Sequence, residues 1–410
     1  MDAMKISVKK LVIILLVSIL IGTAALCLVY CLPVKPMQAH MSETIDAFVQ
    51  EGDNPFLIPG YKGSSLDNYT DAVMLCNAVF ESDAPFYKAA MTVARAADEE
   101  EENQQALQRY LSSGKADKVG TYARYWHGYL VILKPLLLLM NYREIRFLNG
   151  VVSAGVFLLA VWGFYKRGMK KGMAAFLFAA ASLFPVTIPY SLQFSSVYYT
   201  GMLACLAVLY QYEFFEEKKS WAYFFFVTGI CTSFLDFLTY PVFTFGMPLI
   251  LYMAIRRCGL KEEIVFTVKS GICWCLGYVG MWGGKWAVGS WLTKENIWLD
   301  ALGTVELRAS GEVSGENAVR ILAVLRNFYI YFNLLGFLLA GLLLLWVVRQ
   351  LYQYKERVCL YQIGWLLGVA CIPVIWYMAM ANHSYIHYWY TFRSLSVSVF
   401  AVGMIPQMME

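Results

Sequence analysis

Apolar runs of near-spanning length recur along the chain, at 11–32, 147–165, 173–189, 196–214, 223–237, 241–255, 264–282, 328–348, 360–378 and 395–406. A hydrocarbon core of about 30 Å takes about 20 apolar residues of α-helix, so the pattern predicts an all-α, polytopic membrane protein with about ten transmembrane helices. The first run follows Lys5, Lys9 and Lys10 directly and exceeds the roughly 7–15 residues of a signal-peptide core, which marks it as a retained span. The apolar stretch 223–255 is too long for one helix at about 1.5 Å per residue, and Asp236 to Pro241 divides it into a hairpin. A further apolar stretch at 127–140 is shorter than a span and reads as a membrane-parallel or re-entrant helix.

Basic residues orient this array. Lys166, Arg167, Lys170 and Lys171, then Lys218 and Lys219, then Arg256, Arg257 and Lys261, then Arg349, Lys355 and Arg357 all fall on one side when ten spans alternate. The positive-inside rule makes that side cytoplasmic, so both termini are expected in the cytoplasm of a multi-pass protein of the cell membrane. The other side receives a long first loop, 33–146, and a second region at 285–326, and the whole chain 1–410 reads as a single membrane domain. Within the first loop, 66–80 has the apolar spacing of an amphipathic helix, with Ser64 and Ser65 as candidate N-caps. The Ala-, Glu- and Gln-rich run 94–109 reads as a solvated helix carrying the acidic cluster 98–102.

Composition excludes a soluble protein: 59% of residues are hydrophobic and only 15% charged, which in water would leave large exposed apolar patches. The net charge of +4 is accounted for by topology, so no nucleic-acid partner is expected. Nearly all of the 10 cysteines sit in apolar spans, and Cys76 is alone in its loop, which predicts no disulfide framework. Cys273 and Cys275 lack a second ligand pair, so no structural metal is predicted.

Candidate chemistry gathers on the non-cytoplasmic side. Asp67 and Asp71 stand four residues apart, one face of a helix, where one carboxylate can take a proton and the other tune it, or where both simply cap the helix. The last outer turn, Asn382 to Arg393, interleaves His383 and His387 with aromatic residues and ends on Arg393, a pattern suited to an anionic headgroup or to an interfacial aromatic belt. Asp236, Lys285 and Arg326 lie at span ends on the same side. Tyr125, Trp126, His127 and Tyr129 form an aromatic strip that could stack on a sugar face or pack at the headgroup layer.

The long acidic first loop, the short membrane-parallel helix and the late turn bearing His and Arg resemble the bacterial membrane-embedded glycosyltransferases of the GT-C superfamily. The resemblance implies transfer of a sugar from a polyprenyl-phosphate donor to a cell-envelope acceptor, outside the cytoplasm and with no cofactor. Carried onto this sequence, it makes Asp67 or Asp71 the general base and gives Arg393, His383 and Lys285 the donor phosphate. Trp126 and His127 would line the acceptor side, and His387 and Asp236 are further substrate-binding candidates. The superfamily's acidic motif commonly lies close behind the first span, whereas about thirty residues intervene here, and Glu43 and Asp46 are nearer. A lipid-linked glycan flippase or transporter, a polysaccharide polymerase and a membrane acyltransferase using His383 are the competing readings. A transporter would place its polar residues near the bilayer midplane instead of at span ends.

Overall fold

The computed structural model describes residues 6–98, 102–313, 319–357 and 359–409. In chain order the principal helices are α1 (Val8–Tyr30), α2 (Asn68–Val79), α3 (Leu130–Leu139), α4 (Tyr142–Lys166), α5 (Lys170–Ser182), α6 (Leu192–Glu217) and α7 (Trp221–Leu235). They continue with α8 (Phe243–Arg256), α9 (Leu260–Thr293), α10 (Ile297–Ala309), α11 (Val319–Tyr331), α12 (Leu334–Gln353), α13 (Leu360–Ala379, with a turn at Cys371) and α14 (Ser396–Met408). Among the described residues the only sheet is a pair of three-residue antiparallel strands, β1 (Arg95–Ala97) and β2 (Lys118–Gly120), with Arg95 opposite Gly120.

Among the described residues, 6 helices, α1, α4, α6, α9, α12 and α13, are long and apolar enough to cross a membrane. Their outer faces carry large exposed apolar side chains, including Leu20 at 69%, Leu334 at 80% and Leu345 at 71%, which only lipid can solvate favourably. The chain is therefore an all-α membrane protein. The other predicted spans are helical but short. α5, α7, α8 and α14 have 13, 15, 14 and 13 residues. α8 and α14 are buried almost all round, as helices in the middle of a bundle are.

Two predicted spans are interrupted for local reasons. Pro185 disfavours helix at Phe184, which takes a left-handed φ of 56°, and a 3₁₀ turn, Pro185–Tyr190, follows in place of the expected end of the 173–189 span. The 328–348 segment is cut between α11 and α12, because the Asn333 side chain accepts hydrogen bonds from the backbone N–H groups of Leu335 and Gly336 and so starts a new helix. α4 begins with a reciprocal cap: Asn141 Oδ1 accepts from Glu144 N, and Glu144 Oε2 accepts from Asn141 N.

The tightest helix pairing depends on glycine. A Cβ on Gly229 of α7 would stand 2.1 Å from the Trp274 carbonyl oxygen of α9, and one on Gly277 of α9 would stand 2.1 Å from the Phe226 oxygen of α7. Such backbone-to-backbone contact is how apolar helices associate where no hydrophobic force separates helix from lipid.

The basic clusters meet at one pole of the bundle. Arg167 forks onto Glu213 at the end of α6, Arg256 approaches Glu216, Arg257 donates to the Gln407 carbonyl of α14, and Lys171 lies 3.9 Å from the Tyr354 ring centroid beyond α12. Ser7 N donates to Tyr223 Oη at the same pole. The far end of α6, about 39 Å away at 1.5 Å per residue, carries the chemistry described below.

At that far pole, residues 33–98 and 102–141 form a packed layer whose buried Met37, Met41, Phe48, Leu75 and Leu107 are continuous with the core of the bundle. α2 is buried on nearly every side, so it is a core helix and not the amphipathic one its spacing predicts. The 94–109 run also departs from expectation: β1 precedes a helix, Asn103–Ser113, Asp98 pairs with Arg109, and residues 99–101 lie outside the described residues.

Candidate functional site

Asp67 and Asp71 have separate roles. Asp67 is the N-cap of α2: its Oδ1 accepts from Thr70 N at 3.0 Å, the bond that Ser64 and Ser65 were expected to make. Its Oδ2 is buried and has no partner among the described residues. Burial pushes its carboxyl up to about 7, the Thr70 N–H opposes the rise and the neighbouring Asp71 adds to it. Asp71 is fully engaged. It accepts from Tyr142 Oη at 2.7 Å, Leu192 N at 2.9 Å and Gln193 N at 3.2 Å, with Ser191 Oγ at 3.4 Å. It thus caps α6 from a distance and joins three helices, and burial outweighs those bonds to raise its carboxyl to about 6. Asn68 is another tie: it donates to Glu51 at 3.0 Å and accepts from Arg146 at 3.0 Å.

The late turn folds inward over this start of α2. It runs through two short helices, Ala381–Ile386 and Tyr388–Thr391, and a 3₁₀ turn, Phe392–Leu395. Arg393, expected at the membrane surface, is fully buried. Its guanidinium donates to the carbonyls of Leu183 at 3.1 Å and Trp389 at 3.2 Å and to Thr187 Oγ1 at 2.9 Å, and it lies 4.0 Å from the Phe194 ring centroid. With its donors directed at neutral acceptors, Arg393 clamps the turn to the α5–α6 connection. It also lies close enough to Asp67 to act on its charge.

His383 and His387 are tilted neighbours, ring centroids 4.8 Å apart at 49°, and His387 stacks on Tyr390 at 5.2 Å and 18°. His383 Nε2 is 2.7 Å from the Leu238 carbonyl oxygen. Burial pushes both imidazoles down, His383 to about 3 and His387 to about 2, with Arg308 lowering them further, so both are neutral near pH 7.

The remaining sequence candidates are held by structure. The Asp236 carboxylate accepts from Thr239 N at 3.0 Å and from its hydroxyl at 2.5 Å, and so shapes the bend between α7 and α8. Lys285 is buried, donates to the Met91 carbonyl at 2.9 Å and stands 5.8 Å from the Trp126 ring. Trp126 Nε1 donates to the Met281 carbonyl at 2.7 Å. His127 Nε2 faces the Tyr122 carbonyl at 2.7 Å, so its Nδ1 accepts from Tyr129 Oη at 3.1 Å, which in turn accepts from Asn77 Nδ2. These residues brace the floor of the pole.

Arg308 of α10 was not singled out by sequence reasoning, because it lies in a region without a motif. It makes one long hydrogen bond, 3.5 Å to Asn382, has no ion pair among the described residues, and its charge reaches Tyr125, Tyr390 and both late-turn histidines. Arg124, also unflagged, forks onto Asp300 at 3.1 and 3.2 Å and so docks α10 against the first loop.

Several buried polar atoms of the late turn and of Asp67 lack a hydrogen-bond partner among the described residues: Asp67 Oδ2, His383 Nδ1, Ser384 Oγ, His387 Nδ1 and Trp389 Nε1. Each such atom calls for a partner, and a bound polar ligand is one way to supply it. An apolar groove of about 490 Å³ runs between α3, α4 and α6. Its lining includes the half-exposed Ile132 and Leu203, so it opens toward the lipid-facing surface, while Met74 and Leu192 place its inner end beside Asp71. No protein-family model matches the chain, and no curated protein or solved structure is similar to it.

Proposed function

We propose that this protein is a membrane glycosyltransferase that moves a sugar from a polyprenyl-phosphate donor to a cell-envelope acceptor. The single observation that carries the reading is Asp67: a buried carboxylate with one oxygen held and the other free, raised to about 7, where a general base for a hydroxyl is effective near neutrality. Asp67 Oδ2 takes the proton of the acceptor hydroxyl as the acceptor oxygen attacks the anomeric carbon. The bond from that carbon to the phosphate oxygen breaks, and polyprenyl phosphate leaves with the electron pair. The apolar groove beside Asp71 suits the prenyl chain, and the charge of Arg308 suits the departing phosphate.

In this reading the helices, with the short α5, α7, α8 and α14 counted, make ten spans, both termini are cytoplasmic, and the reaction lies on the outer face of the cell membrane. The gathering of the basic clusters at the pole opposite Asp67 supports that orientation. The test is transfer of radiolabel from a polyprenyl-phosphate sugar in sealed vesicles. The wild-type protein should transfer, and Asp67→Asn should lose about 10²- to 10⁴-fold of the rate. Full turnover by the Asp67→Asn protein refutes the assignment.

A further inference from the structure

His383 has its proton placed by its surroundings. A carbonyl oxygen can only accept, so the 2.7 Å contact with Leu238 requires the hydrogen on Nε2. Nδ1 is then a bare lone pair. It is buried, and it has no partner among the described residues. The Leu238 contact holds the ring in place from a residue at φ 67°, on the bend that Asp236 shapes. Burial and the nearby Arg308 keep the ring from taking a second proton at neutral pH.

A lone pair facing a ligand selects for a donor. Phosphate and carboxylate oxygens have no proton to offer at neutral pH and meet Nδ1 lone pair to lone pair, so this atom is not suited to the donor phosphate that the resemblance implied for His383. An alkyl ether or a deoxy position leaves it unsatisfied, at the cost of a buried unpaired acceptor. A hydroxyl satisfies it. Two aromatic rings stand alongside, Tyr390 at 6.1 Å and 56° and His387 at 4.8 Å and 49°, and these two stack on each other at 5.2 Å.

We propose that His383 Nδ1 is a specificity-determining acceptor that reads one hydroxyl of the bound sugar. The proposal rests on the reading of this pole as a sugar site, and it names the group by which the sugar is chosen. Two substitutions separate recognition from support. His383→Gln keeps an N–H near the Nε2 position, facing Leu238, and removes the acceptor at Nδ1. His383→Asn keeps an oxygen near the Nδ1 position and gives up the Leu238 anchor.

The experiment uses the full chain in lipid nanodiscs, free of glycoside detergent. Binding of decyl glucoside, galactoside and mannoside, their mono-O-methyl derivatives and decyl phosphate is measured by calorimetry. The wild-type protein should bind at least one glycoside saturably, and methylation at one ring position should weaken that binding about tenfold or more. His383→Gln should bind parent and methylated forms alike, to within about twofold, with decyl phosphate affinity unchanged, while His383→Asn should keep the preference. Retention of the wild-type preference by His383→Gln, or no saturable binding of any of the three glycosides, overturns the proposal. The glycosyltransferase reading fails separately, on an active Asp67→Asn protein in the vesicle assay, and that result leaves the glycoside preference standing.

Discussion

Exchanging each member of the acidic pair for its amide should have opposite consequences, although the two lie one helical turn apart. In Asp67→Asn the amide oxygen still accepts from Thr70 N, and Asn is as good an N-cap as Asp, so stability should change by no more than about 0.5 kcal/mol. Transfer should nevertheless collapse, because the amide cannot take a proton. In Asp71→Asn one oxygen can go on accepting from Tyr142 and Leu192, but an NH₂ group then faces Gln193 N–H and the Ser191 hydroxyl. The Ser191 hydroxyl can turn and accept, but the Gln193 N–H is left unpaired, so the loss is about 1–3 kcal/mol, a sizeable part of the roughly 5–15 kcal/mol that holds a typical domain together. Thermal unfolding by intrinsic fluorescence, run beside the vesicle transfer assay, separates the two. The expected outcome is an Asp67→Asn protein with a wild-type melting temperature and no transfer, and an Asp71→Asn protein that melts several degrees lower. The reasoning is refuted if Asp71→Asn melts like the wild type and is inactive while Asp67→Asn still transfers.

Because burial raises Asp67 to about 7 and Asp71 to about 6, the folded state holds protons that the unfolded chain has released. Stability should therefore fall as pH rises from about 4 to about 7 and level off above, while transfer rises through about pH 7 as the base ionises; melting temperature and rate across that range check both. Gly277→Ala places a methyl 2.1 Å from the Phe226 carbonyl, so α7 and α9 must separate, and the variant should lose about 1–3 kcal/mol or more, read as a lower melting temperature in nanodiscs. Arg393→Ala should destabilise the protein by about 3 kcal/mol, because it frees several buried acceptors at once. If that variant instead melts normally and only demands more donor, the clamp role is wrong.

The helices were legible because apolar runs longer than about 18 residues have few alternatives in water. What interrupts them was harder to read. Asn333 inside 328–348 and Pro185 inside 173–189 act through local caps and turns that a hydropathy window averages away. The acidic pair was visible as a pair, but its division of labour depends on partners 71 and 121 residues away in sequence, Tyr142 and Leu192, which no local pattern reveals. Arg393 drew notice as a charge near a span end, yet its donors face carbonyls and not an anion. Arg308 drew none, since a lone arginine in the last turn of a 13-residue helix reads as a solvated helix end until the fold places it beside Asn382.

α9 has 34 residues, about 51 Å of unbroken helix, against about 30 Å of hydrocarbon. A helix that overshoots the bilayer so far behaves as a mast. Its upper turns, which carry Lys285, Trp286 and the start of α10, are tied by Lys285 to the Met91 carbonyl and by Trp286 to the Arg124 carbonyl, so they are anchored in protein and not in lipid. Thinning or thickening of the membrane can then be absorbed by sliding lipid along the shaft, at fractions of a kcal/mol per Å. In membranes of different thickness the height of the polar pole above the hydrocarbon is then expected to change, while the hydrogen bonds within that pole hold its distances.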